Sequence, residues 1–203
     1  MTRRIVGILF LMMAILAVKA QPLSEEALKQ QPVFTSLEEA LQNPEKVYRL
    51  KLKIKADSLP EEVFQLYNLQ EFTAARCKLN VLNQSIGKLT NLEYLNVMGN
   101  HLIRLPESLG NLVNLKTLVI CRNLIESLPE SIGNLKKLTY IDAWENPLYD
   151  FPESITELKN TLQVIDLRQI DLHNDELDRM EAQLPNTDIK VTSTCDCHDN
   201  RNK

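Results

Sequence analysis

The sequence predicts an α/β solenoid: a stack of short parallel strands backed by turns or short helical segments, with a helical cap at each end. Three observations predict it. Leu69, Leu92, Leu115 and Leu138 stand 23 residues apart, and a short fixed period marks a stack whose single units cannot bury their own apolar side. Apolar residues alternate at Leu95-x-Val97 and Leu118-x-Ile120, the two-residue period of a strand with one face inward. Asn100, Asn123 and Asn146 return where each strand gives way to a turn. A buried amide there can donate to and accept from backbone groups that the strand no longer pairs.

Taken from the start of the chain, Arg3 and Arg4 precede an apolar run from Ile5 to Val18, and Val18-Lys19-Ala20 supplies small residues for cleavage before Gln21. Residues 1–20 are therefore expected to be a signal peptide. The apolar run is too short to favour a membrane span. Residues 21–46 are expected to form a helical cap. Ser36-Leu37-Glu38-Glu39 has capping-box spacing, and Asn43-Pro44 should stop that helix. Leu37, Ala40 and Leu41 would cover the first repeat.

About six repeats fill residues 47–172. The fullest copy reads Leu92, Leu95, Val97, Asn100, Leu102, Leu105, Pro106, Leu109, Leu112. The next reads Leu115, Leu118, Ile120, Asn123, Ile125, Leu128, Pro129, Ile132, Leu135, and the third Leu138, Ile141, Ala143, Asn146, Leu148, Phe151, Pro152, Ile155, Leu158. The copy from Leu69 carries Cys77 at the Asn position, a shortened one begins at Val47, and a last one follows Thr161. The prolines fix φ and remove an N–H where the outer segment starts.

This frame, L-x-x-L-x-L-x-x-N-x-L-x-x-L-P, resembles the leucine-rich repeat family in its 23-residue class. The resemblance implies a right-handed horseshoe with a concave parallel sheet. Residues 173–191 are expected to cap the far end, with an amphipathic helix over Asp175–Leu184 through Leu177, Met180 and Leu184, then a strand at Ile189-x-Val191. Residues 192–203 read as a flexible polar tail with Cys195 and Cys197.

Loss of Arg3, Arg4 and Lys19 with the leader leaves 20 basic against 27 acidic residues. That balance argues against nucleic acid or anionic membrane as the main partner, and no stable membrane insertion is expected after cleavage. The expected location is secreted, periplasmic or cell-surface. No cofactor is implied: there is no Gly-rich phosphate loop, no HExxH and no calcium loop. His101, His173 and His198 are scattered and form no nucleophile–base set, so no catalytic residue and no enzyme activity is expected. Cys195-x-Cys197-His198 lacks the four ligands of a structural metal site and reads as a flexible end. Cys77 and Cys121 lie two strands apart, about 9.6 Å against a disulfide limit of roughly 7 Å, and should not pair.

Residues flanking the strand leucines should line the concave face. Tyr94, Met98, Val119, Cys121, Tyr140, Asp142 and Trp144 then share one exposed patch, with Arg49, Lys51 and Lys53 at one end and Asp142, Glu145 and Asp166 at the other. Aromatic and Met side chains in such a cluster suit a protein or peptide partner, and the charge gradient could orient it. The expected function is that of an exported, non-enzymatic binding protein. The L-P repeats also resemble intracellular scaffolds that engage Ras-like GTPases, a reading that requires the leader to be a false signal.

Overall fold

The computed structural model describes residues 22–192. The expected leader and the tail cysteines Cys195 and Cys197 lie outside these residues. Eight strands form one parallel sheet in strict sequence order: β1 (Val33–Phe34), β2 (Arg49–Lys51), β3 (Glu71–Thr73), β4 (Tyr94–Asn96), β5 (Thr117–Val119), β6 (Tyr140–Asp142), β7 (Val164–Asp166) and β8 (Asp188–Lys190). Each repeat contributes one strand. Consecutive strands keep one register, so Leu95 stands beside Leu118 and Leu118 beside Ile141. A 23-residue step returns each side chain to the same rank of the ladder.

The central residue of each repeat strand is buried and its two neighbours point to the sheet face. The core is one continuous column of Leu, Ile, Val and Phe side chains that runs the length of the stack. On the back, 3-10 turns occupy Glu61–Gln65, Gln84–Lys88, Glu107–Asn111, Glu130–Asn134 and Glu153–Leu158. Three of these turns pack closely enough to require glycine. A Cβ on Gly110 would lie 2.5 Å from Ser131 Cβ and 2.7 Å from Ser131 O, and Gly87 and Gly133 meet Ser108 and Ser154 in the same way.

The Asn ladder works as its position in the repeat implies. Asn123 Nδ2 donates to Val97 O (3.1 Å) and Ile120 O (2.8 Å), and its Oδ1 accepts from Leu102 N (3.1 Å). Asn100 and Asn146 repeat the pattern. Cys77 fills the equivalent place with its thiol against Leu52 O and Ala75 O. A second ladder was not anticipated: Asn68, Asn91 and Asn114 donate to Glu45 O, Tyr67 O and Thr90 O at 2.8, 3.0 and 2.9 Å. These amides sit just before each repeat's first leucine and tie its outer turn to the preceding repeat.

Helices close both ends. Helix α2 (Leu37–Leu41) starts at Ser36, whose Oγ accepts from Glu39 N, and buries Ala40. Before it stand helix α1 (Glu25–Lys29) and β1, two elements that the sequence pattern did not foretell. Gln70, fully buried, holds this N-terminal segment by accepting from Leu23 N (2.8 Å) and donating to Leu23 O (3.1 Å). At the other end, α3 (Asn174–Gln183) buries Met180, and Leu184 follows it into the core.

Candidate functional site

The sheet face is built from strand alternation and from a recurring left-handed residue. Arg76, Arg122, Glu145 and Gln169 have φ between 56° and 57°, and Gly99 has 66°. They occupy one position, the residue before the Asn ladder or its equivalent. This conformation costs a non-glycine residue about 1–3 kcal/mol. The amide grip of the following Asn and the strand-like bonds from Arg122 N to Trp144 O and Gly99 N to Cys121 O hold the chain there. The turn directs Arg122 and Glu145 back across the face.

Three ranks of side chains cross the sheet. Tyr94, Thr117 and Tyr140 share one rank by register. Lys51, Thr73, Asn96, Val119, Asp142 and Asp166 share the second. Backbone bonds place Met98, Cys121 and Trp144 in the third. The structure thus brings all seven expected residues together on one face. Their exposure differs from the expectation. Tyr94, Met98, Tyr140, Asp142 and Trp144 are half-buried, but Val119 is 8 % exposed and Cys121 only 1 %. Val119 stands between Asn96 and Asp142, and Cys121 between Met98 and Trp144. Val119 and Cys121 form the floor of the patch and not its surface.

Two bridges organise the face that alternation alone did not reveal. The Arg122 guanidinium lies 4.5 Å from the centre of the Trp144 ring, a cation–π contact, and its Nε donates to Glu145 Oε2 at 2.7 Å. Arg168 donates three hydrogen bonds from its side chain to Asp166, the shortest 2.7 Å. The signal for the second was present in the sequence, since Asp166 and Arg168 stand two apart on one strand face. At the opposite end Arg49 pairs with Glu71 at 2.6 Å. The expected end-to-end gradient is therefore reduced within the face: Arg49, Glu145 and Asp166 have partners, whereas Lys51, Lys53 and Asp142 form no ion pair among the described residues.

Asp142 forms no ion pair among the described residues, and its carboxylate is met by the Cys121 thiol and the Trp144 backbone N–H. The Asp142 Oδ1 is buried and accepts no hydrogen bond. Burial first, and the neighbouring Asp166 carboxylate among the other influences, raise its carboxyl above the ordinary aspartate range. Asp166 is held low: burial opposes this, but the hydrogen bonds and charge of Arg168 prevail. The Cys121 thiol, packed against Asp142 and Trp144, is pushed up to about 12 by burial and then by the carboxylate. Burial and the same carboxylate also raise Tyr140. A thiol so raised is a poor nucleophile. Cys77 and Cys121 are both free and buried. Among the described residues no group of three or more His, Cys, Asp or Glu side chains could hold a metal ion, and no helix is long and apolar enough to cross a membrane.

Comparison with known proteins agrees with this geometry. A family model described as Leucine Rich Repeat matches residues 91–112 and 114–135. No curated protein sequence gives a significant match. A leucine-rich repeat protein of Leptospira interrogans superposes with a TM-score of 0.61 at 27 % identity, covering 80 % of this chain and 54 % of that one. Internalin C2 of Listeria monocytogenes superposes with a TM-score of 0.64 at 23 % identity, covering 78 % of this chain and 66 % of that one. The chain thus spans about half the length of the first and about two thirds of the second. Proteins built from these repeats typically act as protein-interaction scaffolds and are generally not enzymes. Two matched repeats, the same 23-residue frame on either side of them and the shared stacked architecture support the leucine-rich repeat family for this chain.

Proposed function

We propose that this chain is an exported, non-enzymatic scaffold that binds a protein or peptide on its concave sheet face. Tyr94, Met98, Tyr140, Asp142 and Trp144 form the contact surface, with Val119 and Cys121 as its floor. The observation that carries this reading is the half-buried row of aromatic and thioether side chains across β4 to β6, on a face whose core-directed neighbours are fully buried. Trp and Tyr beside a clamped Arg are the residue types that dominate interface energies. In this reading residues 1–20 are removed, residues 21–46 and 173–191 cap the repeats of 47–172, and residues 192–203 form a tail.

The test is a Tyr140→Ala, Trp144→Ala double variant used as bait in the protein's native extracellular or periplasmic setting. Its far-ultraviolet spectrum and melting temperature should stay close to native, while partner recovery falls. Undiminished recovery would sink the reading. Export rests on the leader sequence, and sequencing the N-terminus of the mature protein tests it. A chain starting at Gln21 supports export; an intact Met1 in the cytoplasm supports the GTPase-scaffold alternative.

A further inference from the structure

The second rank of the sheet face carries the strongest remaining information. By register it runs Lys51, Thr73, Asn96, Val119, Asp142. Once the internal ion pairs are set aside, the charges left without a partner on this face are segregated. Lys51, Lys53 and Arg76 are exposed and form no ion pair among the described residues. Four strands away stands Asp142, whose Oδ1 is buried without a hydrogen bond. Between these ends the rank is neutral, and Val119 makes it low. Tyr94 and Tyr140 line one side of the rank, and Met98 and Trp144 line the other.

The dimensions define what fits. Four strand spacings of about 4.8 Å separate Lys51 from Asp142 by about 19 Å. An extended chain advances about 3.3 Å per residue, so about six residues cover that distance. Residues four apart along a strand are about 13 Å apart, which sets the spacing of the Tyr94–Tyr140 and Met98–Trp144 banks. Tyr94 Oη reaches in to accept from Asn96 Nδ2 at 3.0 Å, so an extended chain lies over the rank between the banks.

Building on the concave-face reading above, we propose that the partner is an extended peptide segment crossing the strands along this rank. It places an acidic side chain over Lys51 and Lys53 and, about six residues away, a Lys or Arg side chain over Asp142, with apolar side chains between them against Tyr94, Met98, Tyr140 and Trp144. Asp142 recruits the cation because it forms no ion pair among the described residues, the nearby Arg168 being paired with Asp166. The cation also relieves the repulsion between Asp142 and Asp166. Lys51 and Lys53 recruit the acid for the complementary reason, since neither forms an ion pair among the described residues. The charge separation sets the register of the segment, and the aromatic banks supply most of the burial.

The experiment is selection of random twelve-residue peptides displayed on phage against the full chain from Gln21, run in parallel on Asp142→Asn, on Lys51→Glu with Lys53→Glu, and on Trp144→Ala. The native protein should enrich peptides that pair an acidic residue with a basic one five to seven positions away. Asp142→Asn should lose the basic preference and keep the acidic one, and the double Lys variant should do the reverse. A synthetic peptide from the native pool, followed through the fluorescence of Trp144, the chain's one Trp, should bind Asp142→Asn about five- to tenfold more weakly. Enrichment that vanishes in Trp144→Ala but shows no charge spacing, or is unchanged in Asp142→Asn, overturns this inference and leaves the concave-face reading standing. Enrichment indifferent to Trp144→Ala, or none at all, overturns both.

Discussion

Replacing Asn123 by Ala removes one rung from the middle of the ladder, and the structure says which backbone groups lose their partners. Three carbonyls keep a second donor: Val97 O retains Asn100 Nδ2 at 2.7 Å, Ile120 O retains Asn146 Nδ2 at 3.1 Å, and Cys121 O retains Gly99 N at 3.0 Å. Leu102 N has no other acceptor and is left orphaned in the core. An unsatisfied buried donor costs about 1–3 kcal/mol, and each lost but replaceable hydrogen bond about 0.5–1 kcal/mol. The variant should therefore lose about 2.5–6 kcal/mol. With a slope of about 2 kcal/mol per molar urea, the unfolding midpoint falls by about 1–3 M. Asn123→Cys should recover part of this loss, because Cys77 occupies the same place in its own repeat with its thiol on two carbonyls. Asn146→Ala should cost at least as much locally, since Ala143 O and Ile125 N both depend on Asn146. A loss below about 0.5 kcal/mol for Asn123→Ala, or equal losses for Ala and Cys, would refute this accounting.

Gly110→Ala should destabilise by about 1–3 kcal/mol, the cost of overpacking, although Gly→Ala at an unstrained site is usually neutral or stabilising; a raised melting temperature would contradict the 2.5 Å approach to Ser131. In a Cys195→Ser, Cys197→Ser background, the native protein at pH 8 should resist a thiol reagent at both Cys77 and Cys121, and urea should release two thiols; fast labelling of Cys121 in the folded state would contradict its burial. Asp142 binds its proton more tightly folded than unfolded, because burial raises its carboxyl, so its ionisation destabilises the fold. That penalty is absent below the ordinary aspartate range, grows as pH rises through the raised value and persists above it. Asp142→Asn should accordingly be more stable than native at pH 7, with the advantage shrinking in acid; a constant difference across pH would argue otherwise. Asp166 carries the opposite sign, since Arg168 holds it low: Asp166→Asn should cost stability at pH 7, and the cost should fade as pH falls through the lowered value.

Much of the fold is legible because the repeat makes every position a measurement made several times. Leu95, Leu118 and Ile141 occupy one place in the frame, and they occupy one rank in the core. Asn123 could be assigned a buried, backbone-bonding role because its position recurs at the end of an alternating segment. The capped helix at Ser36 and the apolar face ending in Met180 and Leu184 were equally readable. Elements outside the period were not. Helix α1 and β1 belong to no repeat, and Gln70, which binds Leu23 from 47 residues away, leaves no local mark. The ladder of Asn68, Asn91 and Asn114 was visible as a column but lay outside the leucine frame that drew attention.

The amino-acid order alone determined the period, the buried side of each strand, the turn at each Asn and which seven side chains share a face, because these follow from spacing along one chain. Only the stacked structure decided which of the seven are open. Val119 and Cys121 are buried beside the side chains of the flanking strands, and sideways crowding depends on which repeats end up adjacent. It also decided the charge pattern. Arg49, Asp166 and Glu145 find ion-pair partners within the face, whereas Asp142 finds none among the described residues, because ion pairing depends on distances of a few ångströms that repeat spacing does not specify.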